Sequence, residues 1–134
     1  MTTEHDLIRA LSLNAGDLAD PLVVRWKDLD PDATTEELER LRNWVDWLHT
    51  RYRLDHKVFP PCWSEHGSLV EELSALRTLW EACYLDDASP SDPITFHRDL
   101  EPAMRRLREW TSRLGCTRTA HRPEPDPDPD LASD

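Results

Sequence analysis

Three long stretches of the chain repeat apolar residues at steps of three and four positions, the spacing of one helix face. The first stretch carries this stripe at Leu38, Leu41, Val45, Leu48 and Tyr52. The second carries it at Leu69, Leu73, Leu76, Trp80 and Cys83. The third carries it at Phe96, Leu100, Met104, Leu107, Thr111 and Leu114. The pattern predicts three long helices, each of which buries one stripe against the others.

Capping residues and prolines predict where these helices begin and end. Thr34 or Thr35 is placed to cap the first helix, because a hydroxyl there can accept a hydrogen bond from a free amide. Pro102 lies within the third helical stretch, where it either kinks the helix or follows Asp99 as the cap of a new one. Gly115 is placed to close the last helix.

The region before the first long helix has a weaker pattern. Leu7, Ile8 and Leu11 have helical spacing, which predicts a short helix within residues 3–13. Residues 14–33 contain a glycine and two prolines, and we expect an irregular connector there.

Proline and acidic residues alternate in residues 123–130, a composition that favours neither a helix nor a packed strand. The predicted fold is therefore all-α, a bundle of three long helices with a short N-terminal helix and a disordered acidic tail. The corresponding division is residues 1–33 for the short helix and connector, 34–116 for the bundle and 117–134 for the tail.

Composition narrows the class of protein. The chain has 134 residues and a formal net charge of -11, which disfavours direct binding to a nucleic-acid backbone. No apolar run is long enough to cross a membrane, and the acidic N-terminus does not resemble a signal peptide. The three cysteines are odd in number and widely spaced, so we expect reduced thiols and a cytoplasmic protein.

One pair of residues has the spacing of metal ligands. Cys62 and His66 are four positions apart, and His97, Cys116 or His121 are candidates for further ligands. Zinc sites usually combine two closely spaced pairs, and the sequence does not single out a second pair with the usual spacing. We therefore expect neither a metal nor another cofactor, and a metal-binding domain remains an alternative interpretation.

No group of residues predicts catalysis. Ser64, Glu65 and His66 are adjacent, but a catalytic triad is assembled from distant segments and requires an oxyanion hole. Glu81 and Arg77 are four positions apart, which favours an ion pair on a helix surface. The sequence thus predicts a protein that is not an enzyme.

A basic strip interrupts the acidic chain between residues 104 and 122. Its members are Arg105, Arg106, Arg108, Arg113, Arg118 and Arg122. The strip is either a solvated helix face or a docking surface for an acidic partner. The six tryptophans are mostly expected in the core, with one or two in a partner-binding groove.

The order of several motifs resembles an actinobacterial domain family of unknown function that occurs on plasmids, prophages and integrative conjugative elements. The motifs are Trp44-Val45 with Leu48 and Tyr52, then Cys62-Trp63 with His66, then Leu76 with Leu79-Trp80-Glu81-Ala82, then His97-Arg98-Asp99-Leu100-Glu101-Pro102. The chain departs from the family in having one tryptophan, Trp63, before the histidine in place of two. The resemblance covers residues 38–115. It implies a genetic setting but no particular reaction, because the family has no established activity.

These observations lead to a first hypothesis, a non-enzymatic accessory or adaptor protein of a mobile genetic element that acts through protein–protein contacts. The candidate partner-binding residues are Trp63, His66, Trp80, Glu81, His97, Arg105, Arg106 and Arg108. A second hypothesis is an acidic mimic of nucleic acid that inhibits a nucleic-acid-binding protein. The oligomeric state is left open, since an apolar stripe serves a bundle or a dimer equally well.

Overall fold

The computed structural model describes residues 23–127, and within them the chain forms three α-helices and no strand. Helix α1 spans Pro31–Arg51, α2 spans Gly67–Cys83 and α3 spans Asp92–Leu114. The predicted all-helical class is therefore confirmed for this part of the chain. The expected short helix within residues 3–13 and the end of the acidic tail lie outside the described residues.

Helix α1 begins earlier than its predicted cap. The side chain of Asp30 accepts a hydrogen bond from the amide of Ala33 at 2.8 Å, and Pro31 takes the first helical position. The prediction of Thr34 or Thr35 as the cap is wrong, because both lie inside the helix, where the Thr35 hydroxyl donates to the Pro31 carbonyl. Proline at this position loses no hydrogen bond, since the first amides of a helix have no helical partner.

A short 3-10 turn, Trp26–Asp28, precedes α1 within the predicted connector. Trp26 packs against the core, whereas Val23, at the start of the described chain, is 77% exposed. A second 3-10 turn, Trp63–Glu65, leads directly into α2.

Helix α3 runs without a break through Pro102. The alternative of a new helix capped by Asp99 is therefore wrong. Proline removes one backbone hydrogen bond from the helix interior, and burial of Phe96, Leu100 and Leu107 on one face compensates for that loss. Gly115 ends the helix in the left-handed conformation with φ 78°, as the sequence predicts.

The three stripes meet in one core that follows the predicted helical spacing. Its most buried large side chains include Leu41 and Leu48 from α1, Leu69 and Leu73 from α2, and Phe96 and Leu107 from α3. The third stripe differs at two positions, since Ala103 is buried in place of Met104, and Met104 and Leu114 are only partly buried. Within residues 23–127, no helix combines the length and the apolar character that crossing a membrane requires.

Only residues 84–91 connect α2 to α3. Such a short connection makes two helices antiparallel neighbours. As a result, the beginning of α2 lies beside the end of α3, and the segments just outside these two helix ends come into contact.

We predict that Leu48→Ala lowers the free energy of unfolding by about 2–5 kcal/mol, because the fully buried side chain leaves a cavity in the core. The matched control is Ile94→Ala, which truncates a side chain that is 66% exposed and is expected to cost about 0.5 kcal/mol or less. Chemical denaturation of both variants measures the difference. Equal losses would show that the α1 stripe does not form the core.

Candidate metal centre

Two tight turns, one just before α2 and one just after α3, bring two cysteines and two histidines together. Cys62 and His66 flank the 3-10 turn Trp63–Glu65, so that His66 directly precedes α2. Cys116 follows Gly115, and the chain then turns back to His121. The second turn closes through the amide of Thr117, which donates to the Ala120 carbonyl at 2.9 Å.

The four side chains converge on one point. One ligand atom from each of Cys62, His66, Cys116 and His121 lies within 4.8 Å of the other three. His66 Nε2 is 3.6 Å from Cys62 Sγ and 3.3 Å from Cys116 Sγ, and Cys116 Sγ is 3.7 Å from His121 Nδ1. Ligands in a tetrahedron around zinc are separated by roughly 3.3–3.8 Å, given zinc–sulfur and zinc–nitrogen bonds of about 2.3 and 2.0–2.1 Å. Three of the six separations therefore already have tetrahedral values.

The centre lies at the edge of the core. His66 is 1% exposed and Cys116 is 7% exposed, whereas Cys62 is partly accessible and the His121 side chain is 34% exposed. Burial, with a smaller contribution from the neighbouring Cys116 sulfur, raises the pKa of the Cys62 thiol to about 11. A cation at this point must displace the thiol proton, because thiolate is the form of cysteine that binds metal.

Outer contacts fix the orientation of these ligands. The Nδ1 atom of His66 is 2.9 Å from a carboxylate oxygen of Glu124, which leaves Nε2 facing the two sulfurs. A carboxylate on the far nitrogen fixes the orientation of a metal-binding imidazole. The amide of Arg122 donates a hydrogen bond to Cys116 Sγ at 3.2 Å, which helps to hold the sulfur in place. Glu65 approaches His121 Nδ1 at 3.9 Å and adds negative charge near the centre.

Gly115 makes the second turn possible. Its φ of 78° is a conformation that residues with a Cβ rarely adopt. A Cβ at this position would also lie 3.0 Å from the Arg122 side chain. The glycine therefore allows the chain to reverse immediately after α3 and to place Cys116 in the cluster.

The arrangement has the chemistry of a structural zinc site. Two thiolates and two imidazoles are a ligand set that favours Zn²⁺, and the two thiolate charges would neutralise a bound ion. All four ligands come from the protein, whereas catalytic zinc sites keep one position for water or substrate. The geometry thus favours stabilisation of the fold over catalysis.

The other predicted ligand, His97, is not part of this cluster, and of the candidate triad only His66 belongs to it. His97 lies on α3, where its Nε2 atom is 2.8 Å from the hydroxyl of Tyr52. Ser64 accepts a hydrogen bond from Arg42 at 3.1 Å, and His66 faces the cysteines and Glu124. The adjacent residues Ser64, Glu65 and His66 therefore do not face one another as a triad.

The candidate partner-binding residues fall into separate places. Trp63 is buried in the core, and His66 belongs to the cluster of two cysteines and two histidines. Trp80 is half-buried within an aromatic cluster, and Glu81 accepts a hydrogen bond from Arg77 at 3.0 Å, as its spacing predicts. His97 is exposed beside Tyr52.

The basic strip divides in the same way. Arg105 and Arg108 are exposed on α3, whereas Arg106 forms an ion pair with Glu72 of α2. The guanidinium of Arg113 lies 5.3 Å from the centre of the Trp110 ring, within the range of a cation–π interaction. Part of the strip therefore serves contacts within the molecule.

Each ligand of the cluster is a candidate from the sequence alone, but the pairing of Cys116 with His121 is not among its predictions. The two residues are five positions apart and follow a helix-ending glycine, which is the signal that identifies them as a second turn with metal ligands. The structure also differs from the expected disordered tail in residues 117–124, since this segment supplies His121 and Glu124 to the cluster.

Comparisons of the chain with protein-family models, with curated proteins and with solved structures gave no match.

Proposed function

We propose that this chain is a zinc-binding helical domain in which one Zn²⁺ joins Cys62, His66, Cys116 and His121. The observation that carries the proposal is the convergence of these four ligand atoms within 4.8 Å of one another. The expectation of a chain without a metal is replaced by this proposal, because the second pair of ligands comes from the turn after α3.

The ligand set distinguishes zinc from other metals. Mg²⁺ and Ca²⁺ prefer oxygen ligands, whereas iron–sulfur clusters are generally held by four cysteines. Two sulfurs and two nitrogens at tetrahedral separations fit Zn²⁺. The carboxylate of Glu124 contacts His66 on the side away from the sulfurs, which is the place of an outer ligand-orienting group.

The proposed ion acts as a cross-link between distant parts of the chain. Cys62 lies before α2 and Cys116 lies after α3, so that one ion closes a loop containing both helices. In small domains, the free energy of zinc binding contributes directly to folding. The described part of the chain has a single core and a mostly irregular segment after α3, and zinc would hold that segment to the core.

We predict that the chain purified without a histidine tag contains one zinc ion per molecule, measured by elemental analysis. Cys116→Ser removes one ligand and is expected to abolish stoichiometric zinc. Cys83→Ser is the matched control, because Cys83 is a similarly buried thiol on α2 that does not belong to the cluster.

Chelation completes this test. Removal of zinc should lower the melting temperature of the wild-type chain and of Cys83→Ser, but not that of Cys116→Ser. Equal zinc contents in Cys116→Ser and Cys83→Ser would contradict the proposed ligand set.

We further propose that the domain is a non-enzymatic accessory or adaptor protein of a mobile genetic element that acts through protein–protein contacts. The genetic setting rests on the sequence resemblance over residues 38–115. The feature of the structure that supports a protein partner is an aromatic patch formed by Trp47, Trp80 and Tyr84.

This aromatic patch is continuous and partly open to solvent. The ring centres of Trp47 and Trp80 are 5.1 Å apart, and those of Trp80 and Tyr84 are 5.3 Å apart. Trp47 is 39% exposed and Tyr84 is 42% exposed. Tryptophan and tyrosine provide much of the binding energy in protein interfaces, because they bury a large rigid surface with little loss of side-chain entropy.

Nucleic-acid mimicry receives less support from the charges. A mimic requires a continuous series of unpaired carboxylates, whereas Glu37, Glu72 and Glu81 each form an ion pair with an arginine. These pairs alternate the sign of charge along the described helices.

We predict that the double variant Trp47→Ala and Tyr84→Ala reduces recovery of the partner from the native organism by about tenfold or more. The expected loss follows from the cost of about 2 kcal/mol or more when a central aromatic residue of an interface is truncated. Trp110→Ala is the matched control, because Trp110 is exposed to a similar degree outside the patch. Affinity purification with quantitative mass spectrometry compares the three chains, and identical recovered proteins would contradict a role for the patch.

A further inference from the structure

One side of α2 faces neither α1 nor α3. The buried leucines of α2, Leu69, Leu73 and Leu76, lie on the side that packs into the core. A different side, with three apolar and three polar residues, forms the floor of a shallow groove of about 460 Å³ whose accessible surface is mostly apolar. The α2 residues that line it are Glu71, Ser74, Ala75, Thr78, Leu79 and Ala82.

The described chain begins in this groove. Val23 and Val24 form part of its lining, and Val23 is 77% exposed although it is apolar. The 22 residues that precede Val23 in the sequence must therefore leave from the groove itself. This position favours binding of the N-terminal segment in the groove over binding of a separate molecule, because a tethered segment has an effective concentration in the millimolar range.

The N-terminal sequence fits the groove in length and in character. Residues 3–13 carry Leu7, Ile8 and Leu11 at the spacing of one helix face. A helix of this length spans about 16 Å, and the groove residues from Glu71 to Ala82 span about the same distance along α2. Small floor residues allow a second helix to approach closely, because the distance between helix axes depends on the side chains at the contact.

The connector is long enough for this placement. Residues 14–22 bridge up to about 30 Å when extended, which exceeds the length of the groove. The segment can therefore turn back along α2 without displacing Val23 or Val24.

We infer that the groove on α2 is the docking site of the chain's own N-terminal segment, which binds as a helix through Leu7, Ile8 and Leu11. In this arrangement the segment forms a fourth helix and covers the remaining side of α2. The inference does not depend on zinc, because no groove residue belongs to the metal cluster.

Hydrogen–deuterium exchange of the full-length chain tests this inference. The amides of residues 3–13 are expected to exchange at least about tenfold more slowly than in an unstructured peptide. The variant Ala75→Gln with Ala82→Gln introduces polar bulk on the groove floor and should remove that protection. The control variant, Glu109→Gln with Ser112→Gln, changes two exposed positions on α3 and should retain it.

A second variant keeps the test valid if the groove variant does not fold. Leu7→Ser with Leu11→Ser leaves residues 23–127 unchanged, and it should also abolish the protection. Rapid exchange of residues 3–13 in the wild-type chain, or protection retained in the Leu7→Ser and Leu11→Ser variant, would overturn the inference. Protection that rises with protein concentration together with a doubled molecular mass would also overturn it, because a second copy would then cover the groove.

Discussion

The convergence of Cys62, His66, Cys116 and His121 is the constraint that positions the segment after α3 against the start of α2. The two turns that carry these residues lie at the meeting point of α2 and α3, 3.3 Å apart at their nearest sulfur and nitrogen atoms. The site places the partly buried Cys62 thiol, whose pKa burial raises, near the almost fully buried His66 imidazole. Bound Zn²⁺ would be neutralised by the two thiolates, and all four groups would tie the segment after α3 to the segment before α2.

The hydrophobic core and the proposed ion have complementary roles. Leucine, valine and phenylalanine side chains hold the three helices together, and this packing requires no metal to specify which faces meet. The core includes the turn before α2 through Trp63 but contains few side chains from the residues after Leu114. The cysteine and histidine cluster adds contacts to that segment, including the one between His66 and Glu124 at 2.9 Å.

The helices could be predicted from the sequence because burial repeats at helical spacing, as Leu41 and Leu48 illustrate. The start of α1 could also have been predicted, because Asp30 followed by Pro31 is a local signal for a helix start. The nearby threonines are a competing signal of the same kind. The cysteine and histidine cluster was harder to predict from the sequence, because Cys62 and Cys116 are far apart along the chain. Only the antiparallel packing of α2 and α3 brings them together. The spacing of Cys116 and His121 after Gly115 is a local signal, but it indicates a site only when paired with Cys62 and His66.

The most direct test of the zinc centre is X-ray absorption spectroscopy of the full-length chain loaded with one equivalent of Zn²⁺. The account predicts two sulfur ligands at about 2.3 Å and two nitrogen ligands at about 2.0–2.1 Å. A coordination shell made only of oxygen and nitrogen atoms would contradict it, since neither cysteine would then bind the ion.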